Sequence, residues 1–211
     1  RHKNNPKYNP RIKQNTKEQK DFDKNTQIYI YDAVRFSYKV FACIDAYQRT
    51  KPDMLWFLDA DIVTFEKIPM SWLEHIIPDT AFTSYLGRPK KGFSETGYYA
   101  FNTAHKYAGE FFERWQTYYD KDRFLELKGY TDSFTFDGAR IELEKEGKIK
   151  NEDLNDGRWA GGRRSRHPFI NSELGQYMDH LKGYDRKAAM TSKKRDLTTK
   201  QSHPYWKTLK D

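Results

Sequence analysis

Apolar side chains recur every three or four residues along several stretches of the chain, and this period predicts amphipathic helices. The first such stretch is "YDAVRFSYKVFACIDAYQ", where Ala33, Val40 and Ile44 fall on one face, and it ends before "RTKPD". A second helix is predicted from about His105 to Tyr119, and a third from about Asp132 to Glu146. The segment "MSWLEHII" predicts a short helix after a proline.

Short apolar runs bounded by turn residues predict β-strands. The run "MLWFL" lies between Pro52 and two acidic residues, so we interpret it as a buried, central and parallel strand. "TAFTSYL" and "TGYYAFN" predict two further strands, and "INSELGQYMDHL" predicts a segment that is helical at its start. Strands that alternate with helices predict an α/β fold.

The two ends of the chain differ in composition from its middle. Residues 1–27 are polar, basic and interrupted by prolines, which predicts a surface arm or loop. Residues 28–188 contain the periodic segments and predict one folded domain, on which the polar tail, residues 189–211, packs. A chain of 211 residues can close one ordinary core.

Charge and cysteine content narrow the possible partners and surroundings. The formal net charge of +8 favours an anionic partner, such as a nucleotide, a nucleic acid or a lipid headgroup. Cys43 is the single cysteine, so an internal disulfide is excluded and a reducing, cytoplasmic location is predicted, the host cytoplasm if the protein is viral. Since no run approaches the roughly 20 apolar residues needed to cross a bilayer, we predict no membrane span.

Two carboxylates, Asp59 and Asp61, directly follow the run "MLWFL". On an extended strand, residues two apart point to the same side, roughly 7 Å from each other. Two like charges at this spacing repel each other unless a cation neutralises them or one becomes protonated. A divalent cation with oxygen ligands, Mn²⁺ or Mg²⁺, is the simplest such partner. A solvated strand end with turn residues is the alternative for any pair of acids spaced in this way.

Four short motifs are similar to motifs of one enzyme family. The first is "MLWFLDADIV" together with Arg35 in the predicted helix before it, the second contains Gly97 and Asn102 in "SETGYYAFN", and the third contains Asp132 in "YTDSF". "HLKGYDRK" follows near the C-terminus. Together they resemble the nucleotide-sugar site of GT-A-type glycosyltransferases, in particular the retaining family of glycogenin and the lipopolysaccharide galactosyltransferases.

The resemblance implies a Rossmann-like GT-A catalytic domain, with a mostly parallel central sheet flanked by helices, over residues 28–188. In that family, an opening strand and helix hold the nucleotide base. Because nothing before Ile28 is similar to them, we expect this unit to lie upstream of Arg1. The Pro-Trp that ends the family's last motif is absent, and Ser133 replaces a glutamine.

The resemblance also implies the roles of individual residues. Asp59, Asp61 and His180 would hold Mn²⁺ or Mg²⁺ against the diphosphate of a nucleotide sugar, most simply a UDP-sugar. The residues implied to contact this donor are Arg35, Lys39, Asp59, Lys182, Gly183, Arg186 and Lys187. Asp132 and Glu95 are the candidates for a catalytic group near the reacting carbon, where an inverting enzyme needs a base, ahead of Asp137, for which we favour a helix cap or a solvated charge. A helix cap is the alternative for Asp132, and a surface or capping histidine for His180.

The acceptor is predicted from charge and aromatic residues. "GGRRSRH", residues 161–167, and the basic arm lie near Trp159, Tyr8 and Phe169 in the sequence, and such patches suit the phosphate backbone of DNA. A viral enzyme that glycosylates hydroxymethylated DNA bases fits this pattern. The alternatives are a surface-polysaccharide or protein acceptor, a haloacid-dehalogenase-like phosphatase with Asp59 as nucleophile and Asp61 as acid, and a nucleic-acid binder without catalytic activity.

Overall fold

The computed structural model describes residues 2–10, 28–88, 92–158 and 167–209. The chain divides into two compact units. The helical unit comprises Arg1–Pro52 and Lys106–Ile149, and the sheet unit comprises Asp53–His105 and Lys150–Asp211. Helices and strands are both present, so the predicted mixed α/β class is confirmed.

Most of the predicted elements form close to their predicted bounds. The α-helices of the described residues are Ala33–Thr50 (α1), Met70–His75 (α2), Ala108–Asp120 (α3), Asp132–Lys145 (α4) and Tyr184–Ala189 (α5). The strands are Met54–Leu58 (β1), Ile62–Thr64 (β2), Thr83–Leu86 (β3), Glu95–Asn102 (β4), Asn151–Asp153 (β5) and Met178–His180 (β6). Short 3-10 helices cover Ile28–Tyr31, Arg123–Glu126, Glu173–Gln176, Lys194–Asp196 and Pro204–Thr208. Within the described ranges, each helix is too short or too polar to span a bilayer.

The helical unit is held by aromatic packing between α3 and α4. The ring of Phe136 meets the rings of Phe111 and Trp115 edge to face, at centroid distances of 5.9 Å in both cases. The indole Nε1 of Trp115 donates a hydrogen bond of 3.0 Å to the Thr135 hydroxyl, so its polar atom is satisfied in the core. At the start of α1, the Asp32 carboxylate accepts from the backbone N–H of Arg35 at 3.1 Å and caps the helix.

The sheet unit contains a four-stranded sheet in the order β1-β4-β3-β5 and a two-stranded ribbon of β2 and β6. Strand β4 pairs antiparallel with both β1 and β3, whereas β3 and β5 are parallel. The ribbon is antiparallel and places Ile62 opposite His180. The C-terminal segment joins the core of this unit, because Trp206 is buried and its indole N–H donates to the Gly175 carbonyl at 2.7 Å.

The predicted mostly parallel sheet with "MLWFL" as a central parallel strand is wrong for the described strands. In the four-stranded sheet, two of the three strand pairings are antiparallel, and β1 lies at the edge of this sheet as far as the described residues show. The strand is also only partly buried, with Leu58 exposed, so the prediction of a buried strand is wrong as well. Each face of β1 does carry one aromatic contact with the neighbouring strand β4, since Trp56 packs on Tyr98 at 5.4 Å and Phe57 on Tyr99 at 6.1 Å. An edge strand with aromatic contacts on each of its faces can therefore have the unbroken apolar sequence that is typical of central parallel strands.

Candidate metal centre

Asp59 and Asp61 lie in a tight turn between β1 and β2 rather than on an extended strand. The backbone N–H of Ile62 donates to the Asp59 carbonyl at 3.1 Å, which closes this turn. The backbone N–H of Asp59 donates to the Gly97 carbonyl at 3.0 Å and so attaches the turn to β4. The two carboxylates are therefore brought together by the turn and not by the alternation of side chains along a strand, as the sequence had predicted.

His180 reaches the same place from the end of β6. His180 pairs with Ile62 in the ribbon of β2 and β6. One residue further on, the backbone N–H of Leu181 donates a hydrogen bond of 2.9 Å to the Asp61 carbonyl and extends this ribbon. His180 thus lies on a buried strand, 2% exposed, and the alternative of a surface or capping histidine is wrong. The strand fixes the imidazole beside the acidic turn.

The three side chains form a group that can bind a metal ion. His180 Nε2 lies 3.3 Å from Asp61 Oδ1 and 3.9 Å from Asp59 Oδ2. One ligand atom of each residue lies within 4.8 Å of the others. The aspartate side chains keep 32% and 24% of their surface exposed, so an ion can reach them from solvent. Two carboxylates and one imidazole form a donor set that suits Mn²⁺ and, through the oxygens, Mg²⁺.

The surrounding charges keep Asp61 ionised. A hydrogen bond from His180 lowers the pKa of the Asp61 carboxyl most, burial opposes this effect, and Lys187 lowers the pKa further, to well below its ordinary value. The Lys187 ammonium lies 2.8 Å from Asp61 Oδ2, and the lysine side chain is half exposed. A carboxylate that is ionised at neutral pH is available as a ligand without prior loss of a proton.

Glu95 lies directly behind His180 at the start of β4. Its carboxylate is 4% exposed and forms ion pairs with Lys182 and, at 3.3 Å, with Arg88. Glu95 Oε1 also accepts a hydrogen bond of 3.3 Å from the backbone N–H of Gly97 and lies 3.8 Å from His180 Nδ1. The carboxylate proposed from the sequence as a catalytic group is therefore buried among cations.

The remaining residues of the sheet unit that the sequence predicts to bind the nucleotide sugar lie in or next to α5. Gly183 precedes this helix with φ of 82°, a left-handed conformation that favours glycine. Arg186 forms a two-pronged ion pair with Asp196, with distances of 2.7 and 2.6 Å from Nε and the terminal nitrogen to the two carboxylate oxygens. Lys187 contacts Asp61, as described above, and Lys182 contacts Glu95.

The other predicted site residues belong to the helical unit. Arg35 is exposed on α1, with its guanidinium over the Phe36 ring at 5.4 Å. Lys39 Nζ lies 3.0 Å from Asp132 Oδ2, which forms a largely buried ion pair between α1 and α4. Asp132 is the first residue of α4, and the N-cap position belongs to Thr131.

The basic segments that suggested DNA lie mostly outside the described residues. These are residues 11–27 of the arm, Trp159 and residues 161–166. Phe169 is fully buried and packs against the His180 ring at 5.3 Å, so its assignment as an aromatic residue available to nucleic acid is wrong. In the helical unit, Tyr8 packs edge to face on Phe124 at 5.5 Å.

Sequence reasoning did not find Arg88 as a partner of Glu95. Arg88 lies in "GRPKKGFSE", where glycine and proline indicate only a loop. The contact joins two separate residues of this segment, and no local pattern indicates it. The sequence does contain one indication of the pair, namely an acid at the start of a strand that is otherwise uncharged.

No protein-family model, curated protein or solved structure matches this chain. The assignment of the site therefore depends on the chemistry of its side chains.

Proposed function

We propose that this protein is a metal-dependent glycosyltransferase of the GT-A type, which moves a sugar from a nucleotide-sugar donor, a UDP-sugar, to an acceptor hydroxyl. The observation that carries the proposal is the convergence of Asp59, Asp61 and His180 from two distant parts of the chain within 4.8 Å. A solvated strand end does not need a buried imidazole facing its acids. The four motifs shared with GT-A enzymes favour this function over other uses of a metal.

The donor set fits a divalent cation that also binds phosphate. Asp59, Asp61 and His180 would supply three ligands to such an ion, and because Mn²⁺ and Mg²⁺ take about six, positions would be left for oxygens of water and phosphate. When bound, the cation supplies positive charge that screens the diphosphate as it leaves the sugar.

The cationic side chains of the site have separate tasks in this proposal. Lys187 is half exposed beside Asp61, so its ammonium can contact the departing diphosphate, where negative charge develops. Lys182 is paired with Glu95, and Arg186 is paired with Asp196. Both of these cations therefore stabilise the protein part of the site, and Lys187 is our choice for the phosphate contact within the sheet unit.

The acceptor stays a prediction from the sequence. A hydroxymethylated base in viral DNA fits the net charge of +8 and the basic segments. A surface-polysaccharide or protein acceptor is equally compatible with the fold, because fold does not determine function. For this reason, the first experiment measures use of the donor and does not depend on the acceptor.

The test is incubation with a panel of nucleotide sugars and Mn²⁺, with detection of released nucleoside diphosphate. We expect slow, Mn²⁺-dependent hydrolysis of a UDP-sugar by the wild-type protein. The Asp61→Asn variant should lose at least about 100-fold of this activity, since it removes a ligand and a charge at once. The matched control is Asp79→Asn, an exposed acid in the same unit, which should retain wild-type activity.

The outcomes separate the possible functions. The wild-type protein could instead release phosphate from a phosphate monoester. If the Asp59→Asn variant loses this activity, the result supports the alternative function, a haloacid-dehalogenase-like phosphatase. An Asp61→Asn variant that is folded, as judged by circular dichroism, and fully active would overturn the proposed site.

A further inference from the structure

The imidazole of His180 packs directly against the backbone of Gly97. A Cβ atom built on Gly97 would lie 2.4 Å from His180 Cε1 and 2.7 Å from His180 Nδ1, distances that are too short for any real contact. The backbone of Gly97 has no positive φ that would itself demand glycine. The absence of a side chain at this position is therefore needed to accommodate the histidine ring.

His180 also has an unsatisfied buried nitrogen. Nδ1 is buried and has no hydrogen-bond partner among the described residues. The carboxylate oxygen beside it is Glu95 Oε1, at 3.8 Å, which is just beyond hydrogen-bond distance. When Nε2 of a neutral imidazole binds a metal, the proton must be on Nδ1, and this proton then points to a carboxylate.

The carboxylate of Glu95 is itself held in place. Gly97 donates its backbone N–H to Oε1, while Lys182 and Arg88 pair with Oε2. A general base must be free to approach the acceptor hydroxyl, whereas this group is 4% exposed and engaged by several donors. The contacts favour a fixed, oriented acceptor.

We infer that Glu95 and Gly97 are positioning residues for His180: Gly97 provides the space for the ring, and Glu95 is the carboxylate towards which the Nδ1–H points, so that Nε2 faces Asp59 and Asp61. Metal-binding histidines commonly donate their second ring N–H to such a carboxylate. The inference rests on the metal-binding part of the proposed function and replaces the role of Glu95 as a catalytic group.

The first experiment measures Mn²⁺ affinity from the electron paramagnetic resonance signal of the free ion. Loss of the outer carboxylate in the Glu95→Gln variant should weaken binding about 10- to 100-fold. Because this substitution also removes a negative charge, the matched control combines Glu95→Gln with Lys182→Met, which restores the sum of charges. If Glu95 acts through His180, the double variant also binds weakly, and wild-type affinity in the double variant would overturn the inference.

The second experiment needs no metal. Thermal unfolding is compared for the wild type, Gly97→Ala, His180→Ala and the double variant. We expect Gly97→Ala to lower the melting temperature when His180 is present and to have little effect when it is absent, since the three atoms nearest to the added methyl group all belong to that ring. An equal loss in both backgrounds would contradict the contact between the ring and Gly97.

The two experiments also separate this inference from the proposed function. If the wild type binds no Mn²⁺ but the stability cycle shows the coupling, the glycosyltransferase proposal fails and the packing of His180 on Gly97 stands. If the wild type binds Mn²⁺ and the variants bind it equally well, the metal site stands and the positioning role of Glu95 is wrong.

Discussion

Asp179 and Asp61 are both carboxylates of the sheet unit, but their surroundings are opposite. Asp179 is fully buried and accepts from the Ser192 backbone N–H at 2.7 Å, the Ser192 hydroxyl at 2.5 Å and the Tyr205 hydroxyl at 2.8 Å. The side chain of Asp61 is 24% exposed, and it contacts the side chains of His180 and Lys187. Asp179 is satisfied by uncharged donors, and Asp61 by groups that carry or can carry positive charge.

This difference separates a structural acid from an acid that can bind a ligand. Buried polar groups are normally satisfied by the protein itself, and a hydroxyl and a backbone N–H held at hydrogen-bond distance leave Asp179 no need for an ion. Asp61 meets water and a half-exposed lysine, so a divalent cation can replace these partners. Asp179 and His180 are consecutive in β6 and therefore point to opposite faces, which puts one in the structural network and the other in the candidate metal centre.

The strongest test of the comparison is the removal of each charge. An amide cannot accept all three hydrogen bonds, so we expect Asp179→Asn to lower the free energy of unfolding by about 3 kcal/mol. The matched variant Asp61→Asn should change it by about 1 kcal/mol or less, because a partly exposed ion pair contributes little. Urea unfolding monitored by tryptophan fluorescence measures both values.

The two variants should rank in the reverse order when their affinity for Mn²⁺ is measured. Asp61→Asn is expected to abolish measurable Mn²⁺ binding, while folded Asp179→Asn protein keeps most of it. The comparison fails if the two variants lose stability to the same extent.

A smaller effect distinguishes the two neighbouring cations of α5. Arg186→Lys cannot keep both bonds to Asp196, so we expect a loss of about 1.5 kcal/mol in unfolding free energy. Lys187→Met should change the stability by less than about 0.5 kcal/mol, since its side chain is half exposed. The same variant should raise the KM for the donor, and Arg186→Lys should not. A large rise in KM for Arg186→Lys would instead return this arginine to the phosphate site that its sequence position suggested.

The sequence predicted those features that depend on local patterns. The helical period located α1, α3 and α4 within a few residues, and the two acids after an apolar run identified two of the three side chains of the candidate metal centre. His180 was found through its motif, although its strand was not predicted, because a three-residue strand is too short to show a period.

Contacts between distant residues could not be predicted in this way. The antiparallel pairing of β1 with β4, the Arg186 pair with Asp196 and the Glu95 pair with Arg88 all depend on how separate segments meet. An exposed cation and a cation in an ion pair have the same sequence signature, so Arg186 and Lys187 were assigned to the donor together. Burial and distance separate them.

The smallest expected effect concerns one donor to Asp179. Tyr205→Phe removes the hydroxyl that donates to Asp179 Oδ2 and leaves both hydrogen bonds from Ser192, so we expect a loss of about 1 kcal/mol at neutral pH. Burial, and then the bond to Asp179, raise the pKa of the Tyr205 hydroxyl well above its ordinary value of 10.0, against the effect of Thr191.

A phenol whose pKa is raised in the folded state favours folding below its unfolded pKa, and this contribution is lost as the pH rises further. The advantage of the wild type over Tyr205→Phe should therefore be constant near neutral pH and shrink above about pH 10, because only the unfolded wild type then loses the Tyr205 proton. Urea unfolding of both proteins across this range measures the difference. The variant has no phenolic proton to lose at this position, so the other tyrosines cancel in the comparison, and a constant difference up to high pH would mean that the Tyr205 hydroxyl is not held by Asp179.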